Sequence, residues 1–385
     1  MLIEIHMIQN HGPANLNRDD LGAPKTCYFG GVMRSRISSQ CLKRSIRTSE
    51  QFKRLLGGVR TRQLAKLIAD KIPGGAGEKK RAANILRKCG IKPKDENKSE
   101  MLVYTTDEAI TQIAATIANT EGESDDLAKK CGKLISSLVA APDMALTGRM
   151  LETGGLKDTT VEAALQAAHA ISTHEARPEV DYYVAADDIP GADAGAAYVD
   201  EAMFVSACFY KYFSIHWETL LKNLSGSADN KDPRPAHLAA HTVGAFIRGA
   251  ALSNPTGKQN SFAAHNLPDG VVVEVKHAGA TPISYANAFA SPVPGQGPRD
   301  LVSQSIAQLA QYIGDIDEGY GQIGARFWFS PNLRYRLVPA AGGDGAPATP
   351  NHKSVGSLEA LTTAVVKEIG FDWQEVQKTA VSGGV

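Results

Sequence analysis

Much of what this chain could be is excluded by what it lacks. It has no Cys-x-x-Cys pair, and its five cysteines (Cys27, Cys41, Cys89, Cys131 and Cys208) are widely spread and odd in number. That argues against a disulfide framework and fits a reducing cytoplasm. No Gly-x-x-x-x-Gly-Lys-Ser/Thr sequence occurs, so an ATP-hydrolysing loop is not expected. No apolar stretch approaches the roughly 20 residues that span a bilayer. The short apolar run at the start carries Glu4 and His6, which excludes a signal peptide. Nor is there a net charge: 41 Lys and Arg balance 41 Asp and Glu, which excludes a generally basic nucleic-acid coat. No internal repeat is visible. What is present is an ordinary 43% of hydrophobic residues in 385, enough for a sizeable core and for one large domain or two or three modules.

The charges are unevenly placed. Arg34, Arg36, Lys43, Arg44 and Arg47 fall in one stretch with no acidic residue. From Gln51 to Lys98 there are fourteen Lys or Arg against four Asp or Glu, and from Glu179 to Met203 seven acidic residues and no basic one. One part can attract phosphates and another a basic surface on a neighbouring copy, as a head-to-tail assembly would use. A dipolar soluble protein with no assembly is the plainer alternative.

The second half of the basic stretch reads as a helix start. Ser38 or Ser39 can cap it, because a serine hydroxyl accepts from the free amides of the first turn. With Ser38 as cap, Ile37 and Leu42 suit a hydrophobic staple. Lys43 and Arg47 then share a face four residues apart, where like charges repel by a few tenths of a kcal/mol. A helix start also disfavours cations. A polyanion on that face would relieve both costs, whereas most charge clusters are merely solvated.

Along the chain, residues 1–37 read as a strand, a long loop and a short second strand, and 38–56 as a helix. Residues 60–140 read as polar helices with little core of their own. Strand signals return over 160–213, around a Gly/Ala/Asp-rich segment between Asp187 and Asp200 and a dense aromatic run from Phe204 to Trp217. Residues 236–252 and 300–313 read as helices, 271–276, 326–330 and 333–337 as strands, 340–350 as a linker and 357–369 as a last helix. Strands and helices from distant parts of the chain predict an α+β sheet domain with insertions.

Three short motifs point elsewhere and are outweighed. Gly319-Tyr-Gly-Gln-Ile-Gly324 matches the dinucleotide fingerprint, but a helix precedes it and a strand follows, the reverse of what that motif needs. A tight turn is the better reading. His237 and His241 have zinc-binding spacing without the glutamate of a His-Glu-x-x-His site. His169 and His174 could serve as an acid/base pair for RNA cleavage, yet five residues apart in a strand they would face opposite sides. No metal or cofactor is called for.

In order and spacing, Ile3-Glu-Ile-His-Met-Ile-Gln9, Asn10-His-Gly-Pro-Ala-Asn-Leu-Asn-Arg-Asp-Asp20, Phe29-Gly-Gly31 and Arg34-Ser-Arg-Ile-Ser-Ser-Gln-Cys-Leu-Lys-Arg44 resemble the CasC family. These proteins are the repeated guide-RNA-binding backbone subunit of type I-E CRISPR Cascade complexes. Ala145–Met150, Ala168–His174, Val184–Ile189, Phe209–Tyr212, Gly257-Lys-Gln259 and Asn287–Phe289 carry the resemblance on, and it runs from the N-terminus to beyond residue 320. It implies an RRM-like (ferredoxin-like) palm sheet, a helical fingers insertion and a protruding thumb hairpin. The palm would comprise 1–56, 151–180 and 205–385, the fingers 57–150 and the thumb 181–204. It also implies a non-enzymatic role with crRNA, a target DNA strand, further copies of the chain and other Cascade subunits (large, small and guide-end-capping) as partners, in the cytoplasm and away from membranes.

Arg18, Lys25, Arg34, Arg36, Lys43, Arg44 and Arg47 are candidate phosphate ligands, since charge contacts need no base identity. Ser38 and Gln40 add neutral donors beside the helix amides. By resemblance, Arg18, Lys25, Ser38, Gln40, Lys43, Arg44 and Arg47 match positions along the guide backbone, with Lys258 and Gln259 in a second loop and Arg149 a further candidate. A thumb should wedge between bases with apolar groups. Leu165 and Phe204 are the candidates, and stacking on an aromatic is worth about 1–3 kcal/mol per base.

Overall fold

The first segment is apolar at Leu2, Ile3, Ile5, Met7 and Ile8, and Glu4 and His6 between them are also buried. It is therefore the middle of a sheet, covered on both faces, rather than a half-solvated strand. The structure, a computed structural model, describes all residues except 54, 56–57, 76, 96–97, 137–140, 150–159, 186–197, 226–231, 296–299, 323, 341–348 and 383–385. Met150, most of the predicted hairpin tip at 187–200, and parts of the expected loops at 291–298 and 340–350 lie outside the described residues.

In chain order the strands are β1 (Leu2–Ala14), β2 (Thr26–Phe29), β3 (Val32–Ile37), β4 (Gly58–Thr61), β5 (Val103–Thr106), β6 (Leu165–Ala167), β7 (Ala170–Ser172), β8 (Glu179–Ala185), β9 (Tyr198–His216), β10 (Gly270–Lys276), β11 (Ala325–Phe329) and β12 (Lys353–Val355). The helices are α1 (Ser39–Arg47), α2 (Glu50–Lys53), α3 (Leu64–Asp70), α4 (Glu78–Lys88), α5 (Asp107–Ala118), α6 (Asp125–Ser136), α7 (Pro142–Thr147), α8 (Trp217–Ser225), α9 (Arg234–Leu252), α10 (Gln259–Phe262), α11 (Leu301–Tyr320), α12 (Leu358–Glu368) and α13 (Trp373–Ser382).

The chain forms two compact units. The first comprises Met1–Gln51, Ala167–Ser214 and Gly244–Trp373, and the second Phe52–Gln166, Ile215–Val243 and Gln374–Val385. The first unit holds a large, mostly antiparallel sheet in the order β12-β11-β10-β1-β9-β7-β3-β2. β1 pairs with β10 from Leu2↔Lys276 to Ile8↔Gly270, and β12 is parallel to β11. α11 covers one face, where Ile306, Leu309 and Ile313 pack in one core with Ile8, Tyr210, Val272, Phe289 and Trp328. β8 and β9 form a hairpin in register from Glu179↔Phe204 to Ala185↔Tyr198.

The second unit contains the paired β4 and β5 and the helices α3 to α6. It corrects the expectation of a helical block with little core of its own. Ile68, Ile85, Ile110, Ile113, Ile117 and Ile135 are all buried in one cluster. Ile110, Ile113 and Ile117 recur every three to four residues, so one stripe of α5 faces inward while its other face stays polar.

Three further expectations change. β1 runs thirteen residues, through Gly12-Pro13, where a loop from Asn10 was expected. The expected helix over 38–56 is two short ones, because Thr48 Oγ1 donates to Arg44 O at 2.9 Å and Ser49 Oγ to Ile46 O at 2.7 Å. Arg44 O still accepts the Thr48 amide at 3.0 Å, but Ile46 O is taken by both the hydroxyl and the amide of Ser49, a tighter i+3 closure that ends the first helix. Leu333–Leu337 is a turn, not a strand; Asn332 N–H donates to Ser330 Oγ at 3.1 Å at its start. Gly319–Gly324 does join α11 to β11, with φ of 79° at Gly321 and 102° at Gly324. No helix among the described residues is long and apolar enough to cross a membrane.

Candidate nucleic-acid interface

Phe29 and Val32 pair across β2 and β3, which leaves Gly30 and Gly31 as a two-residue hairpin loop with φ of 62° and 80°. Two positive values are what the favoured type I′ turn demands. Gly30 has a second reason to be glycine, since a Cβ there would lie 1.7 Å from the Ala290 carbonyl oxygen. Arg34 ties the same place together. Its Nε donates to Phe29 O at 3.1 Å, Nη1 to Ser172 O at 3.1 Å and Nη2 to Phe289 O at 2.7 Å. It is fully buried. This corrects its assignment as a phosphate ligand: the guanidinium is buried and each of its three nitrogens donates to a carbonyl.

β3 leads straight into α1. Ser38 is the cap, with extended backbone, and its hydroxyl accepts from Cys41 N–H at 3.4 Å. Ser38 N–H in turn donates to Asn17 Oδ1 at 2.8 Å, and Lys25 N–H to Asn17 O at 2.8 Å. Asn17 thereby fastens the 15–25 loop to the helix start. Leu42 and Ile46 are buried, Lys43 and Arg47 half-buried, and Gln40 and Arg44 exposed. The helix thus turns its apolar stripe inward and its cations along the side and outward.

An open cleft of about 1010 Å³ runs beside this helix. The loop bearing Asn17, Arg18 and Asp19 forms one wall, Cys41, Arg44, Ser45 and Thr48 another, and Ser253, Asn254, Thr256 and Gly257 a third. Two predicted cations, Arg18 and Arg44, therefore face one space, and Lys258 and Gln259 directly follow its third wall. Lys258 has φ 49°, in the left-handed region, and Gln259 Nε2 donates to Pro255 O at 2.9 Å. Such backbone strain concentrates at functional positions. Acidic Asp19, Asp20 and Glu50 also border the cleft, and Asp19 Oδ1 accepts the Leu21 and Ala23 amides at 2.9 Å each.

Arg36 lies apart from this space: it donates through Nε to Thr26 O at 3.2 Å and meets His169 Nδ1 at 3.0 Å through Nη1. Burial, with Arg36 and Lys25 nearby, lowers the His169 pKa. Phe204 is half-buried and packs on Phe262 at 5.7 Å between centroids. Arg149 and Leu165 belong to the other unit and are buried. Arg149 Nη1 donates to Ile135 O at 3.0 Å, so its guanidinium, like that of Arg34, is held by the fold.

Residues 3–340 match the CT1975-like protein family. This chain belongs to that family. Among solved structures, it is similar to a chain of a "CRISPR RNA-guided surveillance complex, pre-nicking" at 28% identity and a TM-score of 0.78, covering 95% of this chain and 99% of that one. A second, from a "CRISPR RNA-guided surveillance complex", has 24% identity, a TM-score of 0.69 and the same coverages, and supports the fold. No curated protein sequence matches. The family membership agrees with the resemblance seen in the opening residues.

Sequence reasoning missed Asn17 and Asn254, neutral residues whose importance lies in which distant segments they join. It also missed the buried charges of this family member. Lys276 pairs with Glu4 and, at 3.2 Å, with Glu274. Arg326 Nε lies 2.5 Å from Glu274, and its two terminal nitrogens meet Asp317 at 2.6 and 2.8 Å. Burial raises Glu4, whereas at Glu274 the cations Arg326 and Lys276, with His6, outweigh burial and hold the carboxyl at about 2. No cluster of His, Cys, Asp and Glu suited to a metal occurs among the described residues.

Proposed function

We propose that this protein is a non-catalytic subunit that polymerises along CRISPR guide RNA as the backbone of a type I-E Cascade complex. The observation that carries the reading is the cleft beside α1. It brings Arg18 and Arg44 to one space, one wall of which is the helix that also bears Lys43 and Arg47, and Lys258 directly follows Gly257 in another wall. Arginine contacts to phosphates carry no base identity, which suits a protein that must accept any guide sequence, and the acidic Asp19, Asp20 and Glu50 on the same cleft leave Arg18 and Arg44 as its phosphate-binding groups. The near-complete overlap with a chain from an RNA-guided surveillance complex supports the same assignment. On this reading the large sheet is an RRM-like palm, the second unit supplies the fingers that help hold the target DNA strand, and the β8–β9 hairpin is the thumb. Val180, Tyr182, Val184 and Val199 on that hairpin are exposed, as a surface that meets another copy or a base would be. Further copies and the large, small and guide-end-capping subunits are the partners.

The competing reading, an endoribonuclease using His169 and His174, gains little. His174 Nδ1 donates to Glu175 O at 2.7 Å and Nε2 accepts Cys208 N–H at 3.2 Å, so both nitrogens are engaged. The decisive test is Lys43→Ala with Arg47→Ala. RNA affinity should fall alike for all sequences, and the log–log salt slope should shrink by about 0.7 per lost phosphate contact. An unchanged slope would remove these residues as phosphate ligands. His169→Ala and His174→Ala should leave no guide-precursor cleavage to lose.

A further inference from the structure

We propose that Lys211 is a positioning residue for the cleft, a buried cation whose counter-anion is a backbone phosphate of single-stranded RNA. The inference rests on the cleft being the guide groove.

Lys211 lies on β9 between Tyr210 and Tyr212 and is 1% exposed. Its Nζ donates to Gln9 Oε1, a neutral amide. Gln9 Nε2 passes the contact on, to Asn254 Oδ1 at 2.8 Å and Asn266 O at 2.6 Å. Asn254 lines the cleft. Cys41, in the α1 wall of the same cleft, is close enough to act electrostatically on Lys211. A relay of two amides, Gln9 and Asn254, therefore separates the ammonium from the space that Arg18 and Arg44 line.

No carboxylate among the described residues neutralises it. The contrast with Lys276 is direct: equally buried at 3%, that lysine holds two carboxylates, Glu4 and Glu274. Isolated buried charge is costly, and proteins normally pair it. Here burial pulls the lysine down to about 8. An anion in the cleft would supply the missing partner. Coulomb attraction falls only as 1/r in the protein interior, so it reaches through the two intervening amides, Gln9 and Asn254. Ser253, in the third wall, independently points to a ligand: its Oγ is buried without a hydrogen-bond partner.

The test compares the full-length protein with Lys211→Met and Arg44→Ala, using a mixed-sequence single-stranded RNA oligonucleotide as probe. Lys211→Met should weaken binding about tenfold, while its thermal stability holds or rises, because a lone buried charge has been removed. A purely structural lysine would lose both together. The unaltered protein should bind progressively less tightly between about pH 7 and 9 as Lys211 discharges, and Lys211→Met should lack that step. The other groups facing Lys211 do not titrate in this window: His11 on β1 is held neutral, at about 3, by burial. The Cys41 thiol on α1 is raised by burial above its ordinary 9.0. Gln9 and Asn254 carry no charge.

If Arg44→Ala weakens binding and Lys211→Met does not, the inference fails and the groove stands. If neither variant differs from the parent, or the parent binds no RNA, the groove reading fails and takes this inference with it. Should Lys211→Met not fold, a flat affinity of the parent over the same pH range overturns the proposal by itself.

Discussion

Gly257 sits so close to Leu16 that a Cβ on it would lie 2.5 Å from the Leu16 carbonyl oxygen and 2.7 Å from that of Asn15. Two walls of the cleft are thus in backbone contact at a position where any side chain is too large. Gly257→Ala should push the 252–259 segment off the 15–18 loop. The expected cost is about 1–3 kcal/mol, as for overpacking elsewhere, together with weaker RNA binding, since Arg18 and Lys258 would both shift. Gly319→Ala is the control: a Cβ there meets nothing within 4 Å, so binding should match the parent and stability should hold or rise, since Gly319 lies in the last turn of α11. Equal behaviour of the two variants in urea unfolding and RNA titration would dissociate the loop contact from the groove.

His6 and His11 predict an acid-sensitive fold. Each is buried and held neutral, burial lowering the pKa from an ordinary 6.5 to about 3. His6 Nδ1 bonds the Tyr210 hydroxyl at 2.8 Å, and its ring stacks on Tyr285 at 4.5 Å. Below about pH 6.5 the unfolded chain takes up protons that the folded one refuses, so stability must fall as pH falls. Two such histidines cost about 2.7 kcal/mol per pH unit within that window. Urea midpoints measured at several pH values check this. His11→Leu should lower the slope by about 1.4 kcal/mol per pH unit, and an unchanged slope would mean that His11 takes up a proton in the folded state.

Glu274 is the hinge of the buried charge network. Besides Arg326 and Lys276 it accepts the Tyr285 hydroxyl at 2.9 Å. Glu274→Gln would leave two buried cations with one carboxylate fewer. Removing one partner of a buried pair typically costs about 3–5 kcal/mol, although Asp317 and Glu4 remain to share the load. A loss of at least about 2 kcal/mol in urea unfolding is expected, with RNA affinity per folded molecule unchanged. A neutral effect would mean that the network is not held by this carboxylate.

What the sequence made legible was local. The cap could be narrowed to Ser38 or Ser39 because capping chemistry sits within four residues, and the first strand and the first turns of α11 could be read because their residue patterns are local. The glycine pair at 30–31 stood out within the family pattern, but the reason for Gly30 is Ala290, some 260 residues away in sequence. The second unit's core was underestimated because α5 contributes a single apolar stripe amid polar residues, and such stripes become a core only when several helices share them. Lys211 left one faint signal, a lone cation inside Phe209-Tyr-Lys-Tyr-Phe213. Charge is visible in a sequence, whereas the direction in which it points is set by tertiary contacts.

Arg34 and Arg44 make that point testable. They stand ten residues apart in one basic motif, and composition cannot tell them apart. Arg34 is fully buried and donates to three carbonyls from three segments of the chain, while Arg44 is exposed in the cleft wall. Arg34→Ala should therefore strand Phe29 O, Ser172 O and Phe289 O, each a lost charge-assisted bond of about 1.5–3 kcal/mol before relaxation. It should lower the unfolding midpoint sharply. Arg34→Lys should rescue little, because one ammonium cannot span the fork that the guanidinium covers. Arg44→Ala should leave stability within about 0.5 kcal/mol of the parent, as surface changes usually do, yet weaken RNA binding and reduce its salt slope. Crossed phenotypes, with Arg44 needed for folding and Arg34 for RNA alone, would place the groove on the opposite side of β3 from the one argued here.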